Sequence, residues 1–539
     1  MVRICTSSRA ARPDIGPSGR TPWAGRTAPR YERRRPEKTP LHKIVSENLE
    51  SWLAWREAAE RLVPGYVEDE LRGYLACGLL CFGFARAACM TCRTGFVVAF
   101  SCKGRGVCPS CNGRHMAQTA AHLADHVIPP VPVRQWVISV PKRLRGMLAD
   151  RPAAVAALTK IFIAEIERLL LRASGLVSGF NPAANTPASA HPRLGAVSFL
   201  HRFGSALNHH VHLHACVTDG VFVPAAAEAG CDTPPAFLPA CPITQADLAT
   251  LTERVRRRVI RWFRMRRLLD AAAAAEMLAW ENSGFSVDAS VRITLIDRDV
   301  PSYFRSLEHL LRYCARPPFT LERLSVIRGP DGRATRVRYV LPRHKAANWV
   351  GRSRGRKSTR PGAHGVVELT PFEFLNRLAD LVPPPRRHRH RYHGVFAPNH
   401  KLRRAVTALA VGNIGERGEA GAGRHVGDAH TTGCCDTQAK PRSHDTSRIA
   451  WAKLLARLGE EFPLQCPNCG GDIRLIAFIT EPGPIRKILT YLGEPLEPPP
   501  VSPARGPPTD WGELLQIHDD RDVFQASPDE LPAIDIHSL

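Results

Sequence analysis

The hydrophobic pattern of the chain switches between a helical period and a strand period several times. Apolar and charged residues mix at helical spacing from Leu53 to Leu80, from Arg114 to Val127 and from Ala153 to Leu171. Three apolar runs, VRQWVISVP, GAVSFLHRF and HHVHLHACVTDGVFV, are instead typical of strands, and a turn at Gly204 joins the last two. The mixture predicts an α+β core between about residues 130 and 330.

The same alternation continues beyond these strands. It predicts a long basic helical region from Leu251 to Trp280, a strand at SVRITLI and a helix from Ser302 to Cys314. After Lys345, short strands alternate with arginine-rich loops, among them GRSRGRKSTRPG and PPPRRHRHRYHG. The motif CPNCGG then marks a last small module, which ends in an acidic, Pro-rich tail.

The length of the chain predicts more than one domain. Single cores stop growing near roughly 250 to 300 residues, and this chain has 539. We expect a disordered basic segment (1–44), a cysteine-rich domain (45–128), the α+β core (129–345), a basic extension of it (346–414), a linker (415–447) and a CxxC-containing module with its tail (448–539).

The charge balance points to a polyanionic partner. Lys and Arg number 74 against 50 Asp and Glu, which gives a net charge of +24. Nucleic acid is the first partner to consider, because arginine-dense stretches extend from Arg33 to Arg391. Residues 1–44 are expected to add weak DNA contacts, and the alternative is upstream sequence translated from a start codon set too early.

The apolar runs also limit where the protein is expected to act. None approaches the roughly 18 apolar residues of a membrane-spanning helix, and the first twenty residues lack the apolar segment of a secretory signal. We therefore expect a cytoplasmic, DNA-associated protein that does not contact membranes. The sequence leaves its oligomeric state open.

Sixteen cysteines in such a chain indicate thiolate metal sites, because the cytosol keeps thiols reduced. Two CxxC pairs separated by fifteen residues, Cys89 with Cys92 and Cys108 with Cys111, predict four ligands for one structural Zn²⁺. Four thiolates close the coordination sphere, so the site is expected to stabilise rather than catalyse. Incidental buried cysteines or a redox pair are the alternatives.

Other cysteines have open roles. Cys102 could replace one of the four ligands, or it could form a second site with Cys77 and Cys81. The later pair, Cys466 and Cys469, has a weak candidate partner in the adjacent cysteines at 434 and 435.

The segment NHHVHLH predicts a second metal site. Side chains alternate along a strand, so His210, His212 and His214 face one side while Val211 and Leu213 face the other. Two adjacent imidazoles on one face can hold one divalent cation. The alternative is that these histidines are hydrogen-bonded core residues.

A tyrosine at the end of a predicted helix is a candidate nucleophile. In SLEHLLRYCARPPF, leucines form an apolar stripe, and Tyr313 falls near the helix end between Arg312 and Arg316. Such a cationic setting favours the phenolate, and the arginines could hold a phosphate. From the residues alone, a tyrosine that merely packs at a helix terminus is the favoured interpretation, because the chain has eight tyrosines and most tyrosines are structural.

The three motifs together carry a resemblance. Their order, as FSCKGRGVCPSC, RFGSALNHHVHLHACVTDGVF and LLRYCARPPFTLERL, resembles the insertion-sequence-ninety-one family of rolling-circle transposases. The likeness runs from about Tyr31 to the module near Gly493, interrupted by residues 415–447. It implies a small zinc-binding domain followed by a nuclease core of the His-hydrophobic-His (HUH) type, an antiparallel sheet with helices related to those of relaxases and replication initiators.

The resemblance also implies roles for residues of this chain. His212 and His214 match the metal-binding triplet, and His201, on the preceding strand, stands where a third ligand is expected, with His210 as its competitor. Tyr313 matches the nucleophile, with Arg312 and Arg316 as phosphate-binding residues.

One feature departs from the pattern of two tyrosines that the founding members of this family carry. The residue four beyond Tyr313 is Pro317, and Tyr303 lies ten residues upstream. The chain in this respect resembles the single-tyrosine branch associated with common-region elements.

The activity implied by the resemblance is that of a bacterial transposase. It would cut and rejoin single-stranded DNA at transposon ends and target, with Mg²⁺ or Mn²⁺ at the histidines and a 5′-phosphotyrosine intermediate. No ATP is expected, because GRSRGRKS has the wrong spacing for a phosphate-binding loop. The alternatives are a non-catalytic zinc-containing DNA-binding protein, a plasmid replication initiator or relaxase, and a metal-dependent hydrolase without a covalent intermediate.

Overall fold

A computed structural model of the protein describes residues 34–176, 191–224, 235–281, 283–294, 300–341, 365–411, 413, 466, 468–471 and 473–505. The predicted linker (415–447), the GRSRGRKSTRPG loop, the cysteines at 434 and 435 and residues 1–33 of the predicted N-terminal segment lie outside the described residues. So does the chain from residue 506 onward.

The helices in the described residues are α1 (Pro40–Ala58), α2 (Gly65–Ala76), α3 (Pro109–His126), α4 (Lys142–Asp150), α5 (Pro152–Ala173), α6 (Gln245–Met265), α7 (Ala271–Ala279), α8 (Val300–Cys314), α9 (Pro371–Leu381), α10 (Arg403–Thr407) and α11 (Pro482–Leu492). Across the described ranges, no helix combines the length and the apolar character needed to cross a membrane.

The strands are β1 (Phe84–Cys89), β2 (Gly95–Ala99), β3 (Val133–Ser139), β4 (Gly195–Phe203), β5 (His209–Thr218), β6 (Gly220–Val223), β7 (Ala236–Pro239), β8 (Ser286–Asp288), β9 (Arg292–Ile293), β10 (Leu324–Arg328), β11 (Ala334–Val340), β12 (Val366–Leu369), β13 (His390–Gly394) and β14 (Ile473–Ile479). Helices and antiparallel sheets together confirm the predicted α+β class.

The main sheet has the order β13, β4, β5, β3, β8, with β9 also pairing with β3. One face packs on α5, α6 and α7 and buries Trp136 and Leu213. The other face packs on α3 and α8 and buries Val133 and Phe199. Because side chains alternate along each strand, the central strand β5 contributes to both cores. Its second face is the one that carries the histidines.

A second core joins parts of the chain that are far apart in sequence. Helices α1 and α2 pack with the β10, β11, β12 sheet and with α9. The indole nitrogen of Trp52 in α1 donates to the side-chain oxygen of Asn376 in α9 at 2.9 Å. This core therefore crosses the boundaries predicted at residues 128 and 345.

Several predicted boundaries need correction. Helix α1 begins at Pro40, where the Thr39 side chain accepts from the His42 amide, so residues 40–44 do not belong to a disordered segment. The PPPRRHRHRYHG stretch, predicted as a loop, contains β13, which pairs with β4. The predicted helical region from Leu251 to Trp280 is two helices, and the second begins where Asp270 caps the Ala273 amide.

A third sheet has the order β14, β1, β2 and brings a late segment of the chain against an early one. Strand β14 pairs antiparallel with β1. Helix α11 then packs on Leu80 and Phe84 through Ile485 and Leu489. The described part of the predicted C-terminal module is therefore an extension of the cysteine-rich domain.

Candidate active site and cysteine sites

Three histidines converge on the α8 side of the main sheet. His212 and His214 come from β5, and His201 lies opposite His212 on β4. One ring nitrogen from each of the three lies within 4.8 Å of the others, and all three side chains are buried. His210 is on the same strand face, but it does not belong to this group. The arrangement has the size and donor types of a metal site.

Hydrogen bonds fix which ring nitrogens point inward. His201 donates from Nε2 to the Cys314 carbonyl at 2.7 Å, and His212 donates from Nδ1 to the His210 carbonyl at 3.1 Å. His201 Nδ1 and His214 Nε2 are buried with no hydrogen-bond partner among the described residues. Buried nitrogens without partners are costly. A cation between them would satisfy both lone pairs.

His214 is oriented by the side chain of Gln135. The Gln135 side-chain amide lies 2.9 Å from His214 Nδ1, and its Oε1 is buried without a partner when the amide nitrogen makes this contact. Rotation of the amide by a half turn places Oε1 there instead, as the acceptor of an Nδ1–H bond. His214 Nε2 then keeps its lone pair for a cation.

Burial also sets the protonation state of these histidines. Removal from water lowers the pKa of His212 to about 3. For His201 and His214, burial, with smaller contributions from neighbouring imidazoles and from Arg316, holds the pKa well below its ordinary value. The imidazoles are therefore neutral near pH 7, which is the form that binds metals.

Tyr313 lies beside this cluster. It is in the last turn of α8, and its ring centroid is 5.7 Å from that of His214. The next residue, Cys314, accepts the hydrogen bond from His201, so the end of α8 is tied to the histidine group. The predicted helix and the predicted nucleophile thus come together with the predicted metal ligands.

The expectation that Tyr313 is ionised as a phenolate is wrong for the site as the protein alone forms it. Burial raises the pKa of this phenol, and the charge of Arg316 opposes the rise only in part. Desolvation penalises the charged form more than one nearby guanidinium favours it. Ionisation of the phenol therefore needs a further positive charge or a base.

The two candidate phosphate-binding arginines differ in their surroundings. Arg316 stacks over the Tyr313 ring at 4.7 Å, and its buried Nε has no hydrogen-bond partner among the described residues. Arg312 is paired with Glu308 at 2.9 Å. Because its charge is already compensated, Arg312 is less available to a phosphate than Arg316.

Tyr303 has the environment of a structural residue. Its side chain is fully buried in α8, and its hydroxyl donates to the Val131 carbonyl. Burial raises the pKa of this phenol to a level at which ionisation is negligible near neutral pH. A tyrosine in this position is poorly placed to attack a phosphate.

Eight of the described cysteines form two groups. In the first, the four sulfur atoms of Cys77, Cys102, Cys108 and Cys111 lie within 4.8 Å of one another. The sulfur–sulfur distances are 3.5 Å from Cys102 to Cys111, 3.6 Å from Cys108 to Cys77 and 3.8 Å from Cys77 to Cys111. A tetrahedron with Zn–S bonds of about 2.3 Å has edges of about 3.8 Å. The group therefore fits a zinc ion.

The second group contains Cys89, Cys92, Cys466 and Cys469. The prediction that Cys89, Cys92, Cys108 and Cys111 share one zinc site is therefore wrong in its pairing. The hairpin of β1 and β2 carries Cys89 and Cys92 to its tip, whereas Cys77 and Cys102 flank its base. The CPNCGG motif was a signal of further ligands, but nothing local in the sequence indicated a partner hundreds of residues away.

Comparison with family models identifies the class of protein. Residues 195–404, which contain the three histidines and Tyr313, match a family described as "Putative transposase", and residues 46–140 match "Transposase zinc-binding domain". The two matches together cover more than half of the chain. The protein is a transposase, and the zinc-binding match places it in the insertion-sequence-ninety-one family. Curated proteins and solved structures, also compared, gave no match.

The two matches confirm the predicted resemblance to the family and two coarse features of function, and the single-tyrosine branch stays a prediction. DNA is the substrate of a transposase, and the N-terminal domain binds structural zinc. The four cysteines of the first group all lie within the matched zinc-binding domain.

Proposed function

We propose that the protein nicks and rejoins single-stranded DNA at the ends of its element through a covalent 5′-phosphotyrosine at Tyr313, and so supports rolling-circle transposition. The observation that carries the proposal is the position of the Tyr313 ring, 5.7 Å from His214 at the edge of a buried histidine cluster. A nucleophile beside a metal site is an arrangement that favours in-line attack on a phosphodiester.

His201, His212 and His214 would hold a divalent ion, Mg²⁺ or Mn²⁺. Two buried ring nitrogens without partners support this assignment. The ion would polarise the scissile phosphate and stabilise the charge that develops on it. Three protein ligands leave coordination positions for phosphate oxygens. Imidazole is a softer donor than carboxylate, so we expect Mn²⁺ to bind more tightly than Mg²⁺.

In the proposed reaction the phenol oxygen of Tyr313 attacks the phosphorus. A bond from phosphorus to the tyrosine oxygen forms as the bond from phosphorus to the 3′-oxygen breaks, and the released 3′-oxygen takes up a proton. The phenol loses its proton in the same exchange. Arg316, which stacks on the Tyr313 ring, would bind a phosphate oxygen. A later attack by a 3′-hydroxyl reverses the step, so no ATP is consumed.

The proposal uses a single tyrosine. Tyr303 is buried with its hydroxyl bound to a carbonyl oxygen, and Pro317 occupies the position four residues beyond Tyr313. One phenol would therefore serve both the cleavage and the rejoining of a strand, one after the other.

Arginines outside the site supply the affinity for DNA in this proposal. Arg261 and Arg264 are exposed on α6, and Arg386 and Arg391 are exposed beside or within β13. Cationic side chains distributed in this way bind the phosphate backbone without reading its sequence.

An adduct assay tests the proposal. A labelled single strand that carries an end of the element is incubated with the protein and Mn²⁺, and covalent attachment is followed on a denaturing gel. We expect an adduct with the wild-type protein and with Tyr303→Phe, and none with Tyr313→Phe, which keeps the ring and loses the nucleophilic oxygen.

Two of the alternatives, and a wrong motif assignment, would each give a different result. Cleavage without an adduct in the wild-type protein would identify a metal-dependent hydrolase. Binding without cleavage would identify a non-catalytic DNA-binding protein. An adduct that depends on Tyr303 rather than Tyr313 would show that the motif assignment is wrong.

A further inference from the structure

The second cysteine group has the spacing of a metal site. Sulfur atoms of Cys89 and Cys469 are 3.5 Å apart, as are those of Cys92 and Cys466. These distances are close to the edge of about 3.8 Å in a tetrahedral zinc–thiolate site and far longer than a disulfide bond of about 2.0 Å. The four cysteines are free thiols that converge from two distant segments.

Each CxxC pair is held in the same backbone turn. The amide of Cys89 donates to the Thr94 carbonyl at 2.9 Å, and the amide of Arg93 donates to the Cys89 carbonyl at 3.0 Å. At the other pair, Cys466 donates to the carbonyl of Gly471, and the Gly470 amide donates to Cys466, both at 2.7 Å.

The fifth residue of each turn has a left-handed backbone. Its φ angle is 60° at Arg93 and 70° at Gly470. Glycine adopts this conformation at no steric cost, whereas an arginine does so only when its surroundings enforce it. The two CxxC loops therefore have the same backbone turn. Each loop directs two sulfur atoms towards the other loop.

The two turns meet closely. A side chain at Gly471 would come within 2.4 Å of the Thr91 hydroxyl, and Asn468 donates to the Thr94 hydroxyl at 3.2 Å. These contacts hold the loops face to face at the distance that a shared ion requires.

Burial of apolar side chains alone is a weak explanation for the contact between the two CxxC turns, because few apolar residues are buried there. The cluster under the two turns contains five buried residues, two of which are Cys89 and Cys466 themselves. On β14, Phe478 remains 62 % exposed and Ile476 55 % exposed. Pairing with β1 and the contacts of Ile485 and Leu489 with Leu80 and Phe84 also position this segment. Two clusters of this size rarely hold a segment in place without a metal or a disulfide.

We infer that Cys89, Cys92, Cys466 and Cys469 bind a second structural zinc ion, which fastens β14 and α11 to the N-terminal zinc-binding domain. The ligand pairs are separated by 374 residues between Cys92 and Cys466. The first cysteine group, by contrast, is complete within the matched zinc-binding domain. The full chain therefore binds two zinc ions, each through four cysteine sulfurs.

Zinc content of the purified full-length protein tests the inference. Mass spectrometry of the metal content, with X-ray absorption to select zinc bound by sulfur alone, should give two such ions per chain. Cys466→Ser should lose one of them. The matched control Cys241→Ser replaces an exposed cysteine outside both groups and should keep both.

A conservative variant separates metal binding from packing. Cys469→His retains a zinc ligand, because Cys₃His is an established zinc donor set. It should keep the wild-type zinc content even where Cys466→Ser does not yield folded protein. A wild-type chain with a single all-sulfur zinc ion, or a zinc content unchanged by Cys466→Ser, would overturn the inference.

Discussion

The histidine cluster and the first cysteine group both gather their donor atoms within 4.8 Å, yet their donor sets differ. The cysteine group offers four thiolates, which complete a tetrahedron and leave no position for a substrate. The histidine cluster offers three neutral imidazoles and lies against Tyr313. In the proposed function, the number of protein ligands, rather than their proximity, distinguishes a site that stabilises from a site that reacts.

Removal of a cysteine ligand should have the largest effect on the folded protein. Cys108→Ser leaves three thiolates at a site whose zinc affinity contributes about 10 to 16 kcal/mol to folding in small zinc domains. We expect loss of one zinc ion and a lower melting temperature for the core that contains α1 and α2. Calorimetry and metal analysis check this, with Cys241→Ser as the control. Unchanged stability after zinc loss would show that the ion is not structural.

Removal of a histidine ligand should abolish activity while the fold survives. We expect His212→Ala and His201→Ala to reduce nicking by about 10³-fold, because charge on the phosphate is no longer stabilised. DNA affinity should change little, since it rests on arginines elsewhere. His210→Ala is the matched control on the same strand face. Equal losses at His201 and His210 would remove His201 as the third ligand.

Removal of Arg316 should have an intermediate effect. Arg316→Ala is expected to slow nicking by about 10²-fold at saturating DNA, as loss of one charge-assisted contact to the transition state does. Arg312→Ala should stay within a few-fold of wild type, because Glu308 already pairs with that side chain. Single-turnover rates distinguish the two, and a larger loss at Arg312 would reverse their proposed roles.

The smallest effect is expected at the glutamine behind the cluster. Gln135→Leu removes the group that orients His214, and it should weaken metal binding by about 10- to 100-fold. Excess Mn²⁺ should restore the rate, which a purely structural defect would not allow. Gln135→Glu keeps an acceptor for the Nδ1–H bond and should need less Mn²⁺ than Gln135→Leu. Equal Mn²⁺ requirements in wild type and Gln135→Leu would rule out the orienting role.

Local patterns were sufficient to predict where the histidines and the candidate tyrosine of the core lie. Alternation in NHHVHLH predicted His212 and His214 on one strand face, and the leucine stripe predicted the helix that ends beside Tyr313. Both predictions depend on neighbours only a few residues apart, which is the range over which the periods of strands and helices operate. The Thr39 cap before Pro40 was a similar local signal of α1 that the basic composition of its surroundings obscured.

Local patterns could not predict which distant cysteines share a metal site, nor the balance of burial and charge that sets the pKa of Tyr313. Spacing alone suggested that neighbouring CxxC pairs share an ion, whereas the β1–β2 hairpin separates them and Cys466 and Cys469 arrive from the far end of the chain. Flanking arginines suggested an ionised Tyr313, whereas burial outweighs them and raises the pKa of the phenol. Neither topology nor desolvation is encoded in the identity of adjacent residues.

The pairing of β1 with β14 has a consequence for how the protein is made. Ribosomes deliver the chain from its N-terminus, so β1 and β2 emerge with the first cysteine group long before β14 exists. During that interval β1 is the edge of a two-stranded ribbon, with unpaired backbone groups that other chains can join. A copy truncated by a premature stop codon before residue 473 keeps this edge permanently. Its expected fate is aggregation or degradation, which would limit the amount of partial transposase available to occupy element ends.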